Sequence, residues 1–125
     1  MRALFLALLA LSAPALGCGV CVDDKVAAVY DHALLQRAFA AKRTVAFFAL
    51  GGKVIDDERS RREIAAQARL LPGVDPAGVR VSTTLASLCV VFDGRRTSLV
   101  KVQDGLERGL AGMGLSLLPL QVRER

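Results

Sequence analysis

Residues 44–50 read Thr-Val-Ala-Phe-Phe-Ala-Leu. Both alternating sets, Val45, Phe47 and Ala49 on one side and Ala46, Phe48 and Leu50 on the other, are apolar. Successive side chains of a strand point to opposite faces of a sheet, so this strand has no face to offer water. Residues 88–92 and 115–120 carry the same two-sided pattern. The chain must therefore build a sheet that is covered on both sides.

The other segments show what is available to cover it. Over residues 23–43, Val26, Val29, Tyr30, Ala33, Leu34, Ala38 and Phe39 recur at helical spacing without Pro or Gly, which predicts one amphipathic helix of roughly twenty residues. Gly51-Gly52 is expected to close the strand that follows. Residues 57–71 carry Ile64, Ala65, Ala68 and Leu71 on one side and charges on the other, and Pro72-Gly73 ends this second helix. Residues 79–83 and 88–93 read as a hairpin. Thr97 or Ser98 can cap a third helix with the stripe Leu99, Val102, Leu106 and Leu110, stopped by Gly112 and Gly114, and residues 115–122 form the last strand.

After its leading helix the chain thus reads strand, helix, strand, strand, helix, strand. The expected fold class is α+β, a ferredoxin-like βαββαβ sandwich with the extra N-terminal helix covering the second sheet face. A homodimer through that face is the alternative cover. The stretch Leu71-Pro72-Gly73-Val74, then Val79-Arg80-Val81, Leu88-Cys89-Val90-Val91-Phe92-Asp93 and Thr97 before a Leu-rich helix, resembles the heavy-metal-associated (HMA) domain over residues 44–122. The resemblance implies a small metal-handling module. In that family two cysteines spaced Cys-x-x-Cys at the start of the first domain helix hold a soft ion such as copper, zinc or mercury. The family's spacing puts those positions at Asp57 and Ser60 here, so the usual soft-metal loop is replaced by hard oxygen groups, and Asp57 is left to cap its helix.

A different thiol pair stands ahead of the leading helix: Cys18-Gly19-Val20-Cys21. The short spacing lets two sulfurs hold a soft ion or form a reversible disulfide, and a following helix N-terminus favours thiolate. Asp23 and Asp24 oppose that effect. The thioredoxin family's Cys-Gly-Pro-Cys is a superficial parallel, since no strand precedes the pair here. The metal site expected is Cys18 and Cys21, and the same two residues are the expected disulfide.

Export accounts for residues 1–17. Arg2, the apolar run Ala3 to Leu11 and the small-residue tail Ser12-Ala13-Pro14-Ala15-Leu16-Gly17 are the three parts of a cleavable signal, and the apolar run falls short of the ~20 residues of a membrane span. The expected layout is signal 1–17, thiol pair and helix 18–43, and domain 44–125, in a periplasmic or secreted protein that is not integral to the membrane after cleavage. Lipidation of Cys18 is a rival, but lipoprotein signals place Leu three before the cysteine, where this chain has Ala15. Losing Arg2 takes the net charge from +5 to +4, spread over Arg59, Arg61, Arg62, Arg95 and Arg96 among others, which argues against a nucleic-acid partner.

Geometry refines these expectations. A helix lying antiparallel along the first strand returns Cys18 and Cys21 to the strand's far end, near Gly51-Gly52 and Asp57. Cys89, taken to lie on a strand parallel to the first, falls toward the other end as a buried apolar filler beneath Ala38 and Phe39. His32 lies about 16 Å from Cys21 along a continuous helix, too far to share its ion. Gly105 and Gly109 are spaced for close approach to the sheet. No serine-histidine-acid set, phosphate-binding glycine loop or carboxylate pair suggests catalysis, so the expected function is non-enzymatic. Either a soft metal ion is bound or transferred through Cys18 and Cys21, with a metal-handling protein as partner, or the chain is an interaction module with a structural or redox-active Cys18–Cys21 disulfide.

Overall fold

A computed structural model describes the backbone of residues 18–125 and the side chains of residues 22–125; the expected signal lies outside the described residues. The chain runs α1 (Cys18–Val29), α2 (His32–Ala40), β1 (Thr44–Gly52), α3 (Glu58–Arg69), a 3-10 turn (Pro76–Gly78), β2 (Arg80–Ser82), β3 (Ser87–Phe92), α4 (Leu99–Ala111) and β4 (Leu115–Arg123). The protein is α+β.

The leading helix is two helices, not one. Asp31 adopts an extended backbone (φ −132°, ψ 109°), and its Oδ1 accepts from Leu34 N at 3.1 Å, which makes it the N-cap of α2. An aspartate that bonds a backbone N–H three residues on competes with helix continuation, and here it wins over unbroken apolar spacing. Cys21 and His32 therefore do not lie on one straight helix.

The sheet is antiparallel throughout, in the order β2-β3-β1-β4. Cys89 pairs with Phe47 in the middle of β1, so the expected parallel relation between these strands is wrong. The short turn between β2 and β3 makes those two strands antiparallel, and β1, on the other side of β3, also runs antiparallel to it. Gly51 and Gly52 extend β1 instead of closing it, pairing with Ser116 and Leu115. The β1–β4 register shifts between Phe47 and Phe48, with Pro119 opposite Phe48. A residue without an N–H is tolerated there because β4 is an edge strand.

Each face of the sheet has its own core. Ala46, Phe48 and Leu50 pack with Ile64, Ala68, Leu106 and Leu110 under α3 and α4. Val45, Phe47, Cys89 and Val91 pack with Val26, Val29, Leu34, Leu35 and Ala38 under α1 and α2. The leading segment covers the second face as expected, and occupies the surface on which a homodimer was considered. Burial of residues 115–120 on both sides does not hold. Leu115 and Leu117 are buried, but Leu118 is 62 % exposed, because the cover helices centre on β1 and β3 and leave the edge open.

Two further expectations concern the helices. Ser98 caps α4, accepting from Lys101 N at 3.3 Å, and Gly112 follows its last residue. Gly105 and Gly109 face α3, not the sheet: a Cβ on Gly105 would meet the Leu71 side chain, and one on Gly109 the Gln67 side chain. The glycines permit close approach of two helices on the same face of the sheet.

Candidate thiol site at the start of the first helix

Cys18 and Cys21 open α1. Their side chains lie outside the described residues, and the helix that carries them is held to the sheet one turn further on. Lys25 Nζ donates to Leu85 O at 2.5 Å and to Ala86 O at 3.3 Å, in the turn between β2 and β3. Ala86 O also accepts from Leu50 N at 2.8 Å. This lysine, one turn beyond Cys21, therefore docks α1 at the C-terminal end of β1. At its other end α1 leads into Asp31, whose Oδ2 accepts from Arg80 Nη2 at 3.3 Å, and the chain then passes through α2 to the start of β1. The direction is antiparallel to β1.

The loop where the HMA resemblance would put metal ligands is built differently. Asp57 Oδ1 accepts from Ser60 N at 2.7 Å, capping α3, and that bond is the main cause holding the Asp57 carboxyl below its ordinary range. The neighbouring Asp56 Oδ1 accepts from Thr83 Oγ1 at 2.9 Å and Thr84 Oγ1 at 3.2 Å, tying the β1–α3 loop to the β2–β3 turn. Asp56 and Lys25 thus hold two different segments against one turn.

The third thiol is inert. Cys89 is fully buried and free, and desolvation pushes it up to about 12. A thiol this far from thiolate at neutral pH is neither nucleophile nor ligand, so the expected filler role stands, although its position is mid-sheet beside Asp31 and Arg80. His32 is exposed at the start of α2, with Nδ1 3.4 Å from the Tyr30 hydroxyl. Among the described residues no group of three or more His, Cys, Asp or Glu side chains could hold a metal ion. Among the same residues no helix is long and apolar enough to cross a membrane.

Arg59, Arg61 and Arg62 of α3 are engaged on its own surface. Glu58 accepts from Arg61 and Arg62, and these bonds bring its carboxyl down to about 2; Arg59 pairs with Glu63. They form a solvated helix face. The Lys25 dock and the Asp31–Arg80 strut were not foreseen from the residues. Asp31 ahead of His-Ala-Leu-Leu was the available signal, since Asp before an apolar-periodic run marks a helix start.

The fold and site define a small α+β protein with a four-stranded antiparallel sheet, helices on both faces, and a thiol pair opening the first helix. Comparison with known protein families, curated proteins and solved structures finds no match.

Proposed function

We propose that this is an exported, non-catalytic protein of ferredoxin-like fold, related in design to the HMA domain, that binds and hands on a soft metal ion through Cys18 and Cys21. The ion is of the copper, zinc or mercury class, and the partner is a protein that supplies or receives it. The ferredoxin-like reading is supported by the order β1-α3-β2-β3-α4-β4 and by β3 lying between β1 and β2, the split βαβ arrangement. Export rests on the signal pattern of residues 1–17.

The observation that carries the metal reading is the Cys-x-x-Cys opening α1. The N-terminus of a helix favours thiolate, thiolates are soft ligands, and two of them suffice for a linear soft ion. The Lys25 dock holds α1 to the β2–β3 turn, to which Asp56 also ties the β1–α3 loop, and this supports reading the thiol pair as a substitute for the ligands that the HMA resemblance would put in that loop.

A second reading has its own support. Cys89 is sealed in the core, which leaves Cys18 and Cys21 as each other's partners in an oxidising compartment, where such pairs become bonded. The protein is then an interaction module with a structural or redox-active disulfide.

Alkylation with and without Cu(I) under anaerobic reduction separates the two. The metal reading expects Cu(I) to protect Cys18 and Cys21 from iodoacetamide. Unprotected thiols that close to a disulfide in air leave the second reading.

A further inference from the structure

Several cationic side chains among the described residues have an internal use. Arg43, Arg59, Arg61, Arg62, Arg80 and Arg95 are in ion pairs, and Lys25 and Arg69 donate to backbone carbonyls. Arg37, Lys42, Lys53, Arg96, Lys101, Arg108 and Arg125 do not, and three of these, Arg96, Lys101 and Arg108, share one cleft. Among the described residues none of the three makes a side-chain hydrogen bond or ion pair, and all three line one cleft of about 380 Å³ between the C-terminal end of α3 and the length of α4 from its cap to Arg108.

The apolar part of the cleft's lining comes from Leu71, Pro72, Val102 and the bare backbone of Gly105. A Cβ at Gly105 would stand 2.6 Å from Leu71 Cδ2, so it is the glycine that lets Leu71 lie against α4. Asp104 is the one acid on the rim against three cations. An apolar lining with a few convergent charges of one sign is the usual make-up of a site for a small amphiphilic ligand. A second arginine-bearing groove, of about 580 Å³ beside β2, lacks this property. There Arg61 is committed to Glu58, Arg69 to Pro76 O and Arg80 to Asp31.

We propose that the α3–α4 cleft binds a small organic carboxylate with an apolar body. The carboxylate meets Arg96, Lys101 and Arg108, and the hydrocarbon lies over Leu71 and Val102. Guanidinium groups bond carboxylates in bidentate fashion, and the uncommitted state of these side chains means that no internal bond has to break on binding. The proposal is independent of the thiol pair, which its test leaves intact.

The test is a titration of the isotope-labelled protein with octanoate, followed by amide chemical shifts, with octanol and acetate as comparison probes. Saturable shifts confined to the neighbourhood of Leu71, Lys101 and Gly105 are expected. Binding should weaken by about tenfold or more for octanol, for acetate, and for octanoate added to Arg96→Gln/Lys101→Gln/Arg108→Gln. The three side chains are exposed and bond nothing, so this variant keeps its fold, and an unchanged spectrum elsewhere verifies that. Equal affinity for octanol, an unaffected variant, scattered shifts, or no saturable binding of octanoate would each overturn the proposal.

Discussion

Asp31 and Arg80 join the two halves of the cover to the sheet: one carboxylate oxygen of Asp31 caps α2 through Leu34 N, while the other accepts from Arg80 on the edge strand β2. The same residue ends one helix, starts the next and fixes the corner between them. Replacing Asp31 by Ala should lower the urea midpoint, because the cap of α2 and the Arg80 pair are lost together. Asp31→Asn, still a good cap, should recover most of the loss. The coupling between Asp31 and Arg80 in a double-mutant cycle should be small, since both side chains are 36 % exposed. An unchanged midpoint in Asp31→Ala contradicts this account.

Acid should weaken the fold through a defined set of carboxylates. Asp31, Asp57 and Asp93 are held below their ordinary range chiefly by backbone N–H groups, and Glu58 is brought down to about 2 by Arg61 and Arg62. A carboxyl depressed in the folded state contributes stability that is present above its unfolded pKa and lost as pH falls through the folded one. Urea midpoints should therefore stay level down to roughly pH 4.5 and fall between there and about pH 2. Added salt should shrink the Glu58 contribution, which is exposed and ionic. A midpoint that rises on acidification would refute the assignment.

Cys89 should remain unmodified by a thiol reagent at about pH 8 in the folded protein and react on unfolding, as its burial and a pKa near 12 require. Cys89→Ser should cost about 1–3 kcal/mol, because it buries a hydroxyl on an apolar face. Ser87, in the same strand, already has a buried hydroxyl without a partner, so Ser87→Ala should be neutral or stabilise by up to about 1 kcal/mol. Fast labelling of Cys89 in the native state would show that the second core opens readily.

What was legible follows from the physics of each signal. Two-sided apolar strands announced a sheet covered on both faces, and that held for β1 and β3, where Phe47 and Phe48 lie in opposite cores. It failed for β4, because alternation cannot tell an edge strand with Leu118 exposed from a central one. The leading helix was read as continuous, since Tyr30-Asp31-His32 contains neither Pro nor Gly and the break depends on a side-chain bond to Leu34 N. The glycines of α4 were visible as close-approach positions, but the partner surface, Leu71 and Gln67 of the α3 segment, is a tertiary fact. At the thiol site the residues were legible, whereas the Lys25 dock that orients their helix depends on carbonyls sixty residues away.

Glycine substitutions should separate backbone need from packing need. Gly73 has φ +82°, and a Cβ there would lie 2.7 Å from Thr97 Cγ2 and 2.9 Å from its Cβ, so neither backbone nor neighbour can yield cheaply. Gly73→Ala should cost about 2 kcal/mol or more. Gly109→Ala comes under 3.0 Å only to the movable Oε1 of Gln67, with Gln67 Cβ and Cδ at 3.4 Å, and gains about 1 kcal/mol of helix propensity, so it should lie within about 0.5 kcal/mol of neutral or stabilise. Thermal or urea unfolding of the two variants checks the contrast, which a similar loss in both would contradict.

The central claim is tested most directly by metal stoichiometry on the protein purified anaerobically with reductant, beside Cys18→Ser/Cys21→Ser. The account predicts one equivalent of copper, zinc or mercury retained by the native protein and none by the variant, with both equally folded because Cys89 and the two cores are untouched. Equal metal content in the two proteins, or none in either with a Cys18–Cys21 disulfide formed in air, would contradict it.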